Sequence, residues 1–347
     1  MNSVSVDLGK RSYNIVFSNT PEELAPRKTL LITDSNIDLL YREKAVEIFS
    51  PEDVFVIPAG EESKNAGTFL DICRRAAALH LGRDCRFIAL GGGVTGDLTG
   101  FAAACYLRGV RFLQVPTSLL AMVDSSVGGK TGIDIPEGKN LIGAFHQPES
   151  VWVNTAFLAT LPQKELGNGL AEVVKTAAIR DEKFFTFLEE NSSKLRDTSN
   201  IELFDAVVRR CCEIKAEVVS CDEKESGLRA ILNYGHTFAH PIETLSNYSV
   251  SHGEAVSIGM EYAGLLALKL GMWSKEEFER QGKLLDMLKL PRRRPENIDG
   301  KEMLELMKSD KKNKDSKITF VLPDKTGSVQ IVSGISNDLI LDILEER

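Results

Sequence analysis

Three of the chain's five histidines, His236, His240 and His252, fall in one short stretch beside Asn233 and Glu243. Imidazole ionises near neutral pH and is the commonest nitrogen ligand of zinc-like ions, so the cluster points to a metal or acid–base centre. One such histidine would be read as a core residue or a helix cap; three together are not. His236 and His240 are four apart, which puts both on one face if the segment is helical. His252 follows the polar Ser246–Ser249 turn and precedes Gly253, where a new helix is expected to begin. Upstream, Glu172 and Lys175 share a helix face at i,i+3. An ion pair along the helix would account for them, but Glu172 lies among Ala171, Val173 and Val174 and is also suited to ligand duty.

A second chemistry is written at Gly91-Gly92-Gly93, which follows an apolar run and leads into Val94-Thr95-Gly96-Asp97. Glycines let backbone approach a ligand closely, and a helix start offers free N–H groups and a positive dipole end to a pyrophosphate. This is not the G-x-G-x-x-G fingerprint, and a tight turn without a ligand is the alternative. Asp34, at the end of an earlier apolar run, is suited either to ribose hydroxyls or to capping the helix that follows. From Val115 to Pro148 the chain is glycine-rich and polar, and a connection of that length inside a domain is usually functional. Its Asp124, Lys130, Lys139 and Asn140 suit a hydroxylated, anionic small molecule.

These groups need a frame. Apolar, β-rich runs at 13–17, 29–33, 54–57, 87–90 and 112–115 alternate with helical patterns at 36–49, 64–81 and 95–107. That alternation predicts βαβ units and a Rossmann-like, doubly wound, mostly parallel sheet, with ligands beyond the carboxyl ends of its strands. Past Leu161-Pro162 the pattern is helical to Leu306, ending in a hairpin of 318–322 and 329–332. The expected organisation is an α/β domain over 1–160 and a mainly α-helical domain over 161–347, the boundary resting on the change of pattern alone. A length of 347 residues also favours two domains. The net charge of -8 argues against nucleic acid or anionic membrane as the main partner. No apolar run approaches the roughly 20 residues needed to span a bilayer. The six cysteines show no Cys-x-x-Cys spacing, so reduced thiols in a cytoplasmic protein are expected.

Taken in order, the motifs resemble the 3-dehydroquinate synthase family. They are Pro58-Ala-Gly-Glu-Glu-Ser-Lys64, Gly91-Gly-Gly-Val-Thr-Gly-Asp97, Tyr106-Leu-Arg-Gly-Val-Arg111, the run from Val115 to Gly132, Gly169-Leu-Ala-Glu-Val-Val-Lys175, the run from Leu228 to His240, and Ser251-His-Gly-Glu254. The resemblance extends from Thr33 to Lys312. Pro241 stands where the family usually has alanine and Ala239 where glycine is common, and neither replaces a functional group.

The resemblance implies an NAD- and zinc-dependent lyase, with cobalt as a possible substitute metal. It would convert 3-deoxy-D-arabino-heptulosonate 7-phosphate to 3-dehydroquinate and phosphate. The implied course is transient oxidation at C5, β-elimination of phosphate, return of the hydride, ring opening and aldol closure. By match to the family, Glu172, His236 and His252 are the metal ligands and His240 is not. Lys130, Asn233, His240 and one lysine of Asp310-Lys311-Lys312, taken as Lys311, bind phosphate. Asp124, Lys139, Asn140, Lys175, Lys215 and Arg229 surround the substrate's hydroxyls and carboxylate, with Glu225 beside Lys215. Asp34, Asn36, Glu61, Lys64, Gly92, Gly93, Asp97, Thr117 and Ser118 fall on the nucleotide motifs, and Lys130 and Lys139 are also assigned to the cofactor side. Arg108 matches an arginine lent to a neighbouring subunit, which implies a homodimer. Other sugar-phosphate cyclases, such as 2-deoxy-scyllo-inosose or aminodehydroquinate synthases, and polyol dehydrogenases of the glycerol dehydrogenase type are the alternatives.

Overall fold

The structure, a computed structural model, describes residues 2–20, 25–309 and 318–346. Lys311 and Lys312 lie outside the described residues. The chain divides into two compact units, Met1–Leu161 with Phe204–Lys224, and Pro162–Leu203 with Glu225–Arg347.

The first unit carries strands β1 (Ser3–Val6), β2 (Tyr13–Phe17), β3 (Thr29–Asp34), β4 (Asp53–Ile57), β5 (Arg86–Gly91), β6 (Arg111–Pro116), β7 (Lys130–Ile135), β8 (Gly138–Phe145) and β9 (Ser150–Val153). Its helices include α1 (Ser35–Phe49), α2 (Ala66–Ala78) and α3 (Gly93–Cys105). Seven strands form one sheet in the order β1-β2-β9-β6-β5-β3-β4. All neighbours run parallel except β1, which pairs antiparallel with β2. The uninterrupted apolar character of β3 and β5 follows from burial on both faces, as parallel sheets require. Leu30, Ile32, Phe87 and Phe112 of the sheet pack with Leu98 and Phe101 of α3 and Ile72 of α2. Gly100 permits this fit, because a Cβ there would stand 3.1 Å from the Phe112 ring.

Two expectations need correction. The polar connection from 115 to 148 is not structureless: β7 and β8 form an antiparallel hairpin within it, after a turn of π-helix at Ala121–Ser125. The second correction concerns chain path. After α4 (Gln163–Arg180) and α5 (Glu182–Asn191), both in the second unit, the chain returns with α6 (Ile201–Cys221), and residues from Phe204 to Lys224 belong to the first unit. Phe204, Val207, Val208, Cys211 and Cys212 of α6 are buried. The Cys212 thiol donates to the Met122 carbonyl at 3.3 Å, and the Arg209 guanidinium lies 4.1 Å above the Phe17 ring. The pattern change near residue 160 marks the first crossing and carries no sign of this return.

The second unit adds α7 (His236–Leu245), α8 (His252–Lys269), α9 (Lys275–Met287), α10 (Gly300–Ser309), the hairpin of β10 (Thr319–Lys325) and β11 (Ser328–Ser333), and α11 (Asn337–Glu346). Helix α8 is buried on every side from Ala255 to Ala267 and packs against α4, α7, α9, α11 and β10. An all-round apolar helix is stable only as such a central element. Its one buried acid there, Glu261, is met by both arms of Arg292 at 2.9 Å, which offsets its desolvation.

Candidate active site

Glu172, His236 and His252 come from three different helices of the second unit, and backbone contact between those helices brings them together. His236 is the first residue of α7 and His252 the first of α8. Gly235 precedes His236 with φ +81°, a conformation that favours glycine, and a Cβ there would lie 2.9 Å from the Val256 carbonyl oxygen of α8. Gly259 of α8 abuts the Gly235 carbonyl, and Gly253 abuts the backbone of Asn168 one turn before Glu172. No side chain fits at either crossing. Ser251 caps α8 in a capping box with Glu254, and its hydroxyl reaches Asn168 Oδ1 at 2.6 Å.

One ligand atom from each of Glu172, His236 and His252 can be chosen so that all lie within 4.8 Å of one another. Glu172 Oε1 is 3.5 Å from His252 Nε2 and 3.9 Å from His236 Nε2. The far nitrogen of each ring faces an acceptor, Glu243 Oε1 at 3.2 Å from His252 Nδ1 and the Tyr234 carbonyl at 3.2 Å from His236 Nδ1. With Nδ1 donating, both Nε2 lone pairs are directed to the Glu172 side, the tautomer that a metal ligand needs. Burial disfavours charge on His252, yet its hydrogen bonds to Glu172 and Glu243 outweigh burial and push its pKa up to about 10. The setting therefore stabilises positive charge where a divalent ion would supply it. Two imidazoles and one carboxylate suit zinc or cobalt and leave coordination positions for substrate oxygens.

Lys175 and His240 adjoin this group, and Asn233 and Arg229 lie in the same unit. Lys175 is buried and its ammonium bonds the Glu172 carboxylate, so the pair along the helix is made as well. The His240 ring stands edge-on to His236 with centroids 5.6 Å apart, outside the three-residue ligand set. Asn233 donates to Glu225 Oε1 at 2.5 Å, and Arg229 is buried in the turn of Leu228–Asn233.

In the first unit the expected nucleotide residues gather at the carboxyl ends of adjacent strands. Asp34 ends β3, Glu61 and Lys64 follow β4, Gly92 and Gly93 follow β5, and Thr117 and Ser118 follow β6. Asp34 caps α1, accepting from the N–H groups of Asn36 at 3.0 Å and Ile37 at 3.2 Å, so the capping reading is realised. Gly92 is the N-cap of α3, and a Cβ on Gly93 would sit 3.1 Å from Ser125 Oγ. No side chain caps this helix start, where backbone N–H groups and the dipole favour an anion. Lys64 is buried and bonds Asp97 Oδ2 at 2.5 Å and Asn140 Oδ1 at 2.7 Å. Burial works against its charge, but Asp97 and Glu61 raise its pKa. Lys139 pairs with Glu61 at 3.5 Å, and Lys130 is exposed at the start of β7. Lys215, buried on α6, donates to Asp124 Oδ1 at 2.5 Å and to its carbonyl at 2.6 Å. It thus belongs to the first unit, not the second as the sequence boundary placed it. Arg108 is exposed in a turn where Leu107, Arg108 and Gly109 have φ of +49°, +69° and +121°.

Two residues with a part in these arrangements carried no assigned role. Glu243 holds His252, and its signal was its spacing, because His236, His240 and Glu243 form one i, i+4, i+7 stripe. Asp134 ties the hairpin to Lys64: its N–H donates to the Lys64 carbonyl and its Oδ1 accepts from Asn140 N–H, each at 2.7 Å.

Comparison with known proteins fits this picture. The family model for the 3-dehydroquinate synthase N-terminal region matches residues 54–168, and that for the C-terminal region matches 169–313. A 3-dehydroquinate synthase from Picosynechococcus is 45% identical over 356 residues, spanning 98% of this chain and 97% of its own. The chain belongs to the 3-dehydroquinate synthase family. A second member of that family, from Acetivibrio thermocellus, is 47% identical over 94% of this chain and 93% of its own. Among solved structures, a 2-epi-5-epi-valiolone synthase from Streptomyces hygroscopicus with NAD+ and Zn2+ bound superposes with a TM-score of 0.89 at 28% identity, covering 96% of each chain. A 2-deoxy-scyllo-inosose synthase complexed with carbaglucose-6-phosphate, NAD+ and Co2+ gives 0.89 at 25% identity over 99% of each chain. A probable glycerol dehydrogenase from Sinorhizobium meliloti, at 15% identity and a TM-score of 0.62 over 92% of this chain and 90% of its own, shares the fold alone.

Proposed function

We propose that this chain is a 3-dehydroquinate synthase, taking 3-deoxy-D-arabino-heptulosonate 7-phosphate to 3-dehydroquinate and phosphate with NAD and a zinc or cobalt ion. The observation that carries the proposal is the convergence of Glu172, His236 and His252, in a chain of this family, around a position that favours a cation. When bound, the ion would supply Lewis acidity toward substrate hydroxyls and NAD a reversible hydride acceptor, so no net NADH is expected.

The chain's own groups do the rest. The acceptors at Nδ1 hold the two imidazoles in the ligating tautomer, and Lys175 offsets the charge of buried Glu172. Lys130, Asn233, His240 and Lys311 are assigned to the phosphate. Asp124, Lys139, Asn140, Lys175, Lys215 and Arg229 are assigned to the hydroxyls and carboxylate, Glu225 orienting Asn233. Buried Lys175, Lys215 and Arg229 supply fixed cations that an anionic substrate requires and that the protein's net charge of -8 does not. The loops at Asp34, Asn36, Glu61, Lys64, Gly92, Gly93, Asp97, Thr117 and Ser118 are assigned to NAD, with Lys130 and Lys139 on the same side. Strained backbone at an exposed arginine supports a role outside its own subunit, and Arg108 is assigned to the site of a second copy in a homodimer. No helix among the described residues is long and apolar enough to cross a membrane, and a cytoplasmic location is part of the proposal.

The test is phosphate release from the heptulosonate, with and without a chelator, and from glucose 6-phosphate in parallel. Chelator-sensitive release from the heptulosonate alone, without net NADH, is expected. Turnover of glucose 6-phosphate alone would move the assignment to another cyclase, and net NADH from a simple polyol would move it to a dehydrogenase.

A further inference from the structure

Glu243 is a buried carboxylate on α7, at 6% exposure, and a group so placed needs a partner. One partner in reach is His252 Nδ1, at 3.2 Å. The other nitrogen of the same ring is 3.5 Å from Glu172 Oε1, so His252 lies between two carboxylates, one on each edge. His236 is held differently, by the neutral carbonyl of Tyr234. Glu243 is also fastened through its backbone to the link between α7 and α8. Its carbonyl accepts from Tyr248 N–H at 2.8 Å and from the Ser246 hydroxyl at 3.0 Å. Asn247 and Tyr248 in this link have φ of +48° and +59°. The backbone thus carries the α7–α8 connection back past Glu243, and the side chain meets the first residue of α8.

We propose that Glu243 is a positioning residue that fixes the ring plane and tautomer of His252, so that Nε2 is presented to the metal ion. This rests on the metal-site reading above. The carboxylate accepts the Nδ1 proton, which leaves the Nε2 lone pair free, and its charge makes that lone pair a stronger donor. The two parts separate by substitution. Glu243→Gln keeps an oxygen that can accept from Nδ1 and loses the charge; Glu243→Ala loses both. Neither change touches the backbone carbonyl that ties down the connection.

The experiment uses full-length protein with zinc alone, without substrate or NAD. Zinc affinity is measured by competition with a chromophoric chelator, the visible spectrum is recorded after cobalt substitution, and the metal-free proteins are melted. His252→Ala serves as the reference. Expected are a loss of zinc affinity of about 10–100-fold in Glu243→Ala, a smaller loss in Glu243→Gln, and a shifted cobalt spectrum in both, while metal-free Glu243→Gln melts with wild type. Wild-type zinc affinity and an unchanged cobalt spectrum in the Glu243 variants, with zinc lost in His252→Ala, overturn this inference and leave the metal site standing. A fall in melting temperature of metal-free Glu243→Gln that accounts for its loss of zinc also overturns it, since the residue is then structural. Zinc retained at full affinity by His252→Ala overturns the metal-site reading itself.

Discussion

Gly253→Ala tests whether the approach of α8 to α4 sets the spacing of the metal ligands. Gly253 is the second residue of α8 and has ordinary helical backbone, so alanine is intrinsically favoured there by up to about 1 kcal/mol. Any destabilisation must come from contact. The added Cβ would stand 2.5 Å from the Asn168 carbonyl oxygen and 2.8 Å from its carbon. Ordinary carbon contacts are about 3.5 Å and the Asn168 Cα is nearer still, so α8 has to withdraw by roughly 1 Å or more, and the obstacle is backbone that cannot rotate aside. Overpacking of this kind costs about 1–3 kcal/mol. His252 adjoins Gly253, and Glu172 is one turn from Asn168, so the withdrawal pulls apart two groups that must each reach about 2.0–2.2 Å from one ion. The expected result is a lower melting temperature and a loss of zinc affinity of about five- to a hundredfold, by the usual scaling of about 1.4 kcal/mol per decade. Gly271→Ala is the control. At φ +69° with open space around its Cβ, it costs about 1–2 kcal/mol of backbone strain at the far end of the same helix. Chelator competition and thermal melting of both variants decide the matter: Gly253→Ala with wild-type zinc affinity, however unstable, refutes the reasoning.

Two further outcomes are expected. Burial alone would raise the Glu149 pKa, but hydrogen bonds and charge from Arg86 at 2.8 Å and Arg111 at 3.0 Å outweigh it and hold the carboxyl low. A depressed folded pKa stabilises above the unfolded value of about 4.3 and is lost as pH falls through the folded one. Glu149→Gln should thus be less stable by about 1–3 kcal/mol at neutral pH, with the gap closing in acid; a gap independent of pH in denaturant titrations would count against the pair. Arg108→Ala should lose activity while keeping zinc, and mixing it with His252→Ala should restore part of the activity if the arginine serves a second copy. Failure of the mixture to recover any would place Arg108 in its own subunit's chemistry or in none.

How far these arrangements were legible in the sequence depended on the kind of interaction involved. The runs that became β2 to β6 stood out because buried parallel strands are apolar without interruption, and β2 has the bounds its sequence predicts, Tyr13–Phe17. The β7–β8 hairpin did not stand out. Its centre pairs Gly132 with Gly143, and a Cβ on Gly132 would meet the Ile142 carbonyl at 2.7 Å, so the residues that allow the pairing are those that look least like strand. The helix start at His252 was readable from local turn chemistry, whereas the one at His236 carried no such reading. Convergence of Glu172 with them was not, because it depends on glycines meeting backbone across sequence separations that no periodicity encodes. Family resemblance supplied that set, and the spacing of His236 and His240 alone would have suggested a pair of which only His236 belongs to the converging group.

The return of α6 to the first unit has a consequence for how the molecule is made. The chain passes between units after Leu161, Leu203 and Lys224. A ribosome that has released the sheet strands has yet to release the helix that covers Met122 and Phe17. The segment emerging in the meantime, α4 and α5, belongs to the other body. Translation order and order of completion therefore differ: the earlier half waits, with apolar surface uncovered, while residues 162–203, which carry a metal ligand of the other unit, are made before its own last piece arrives.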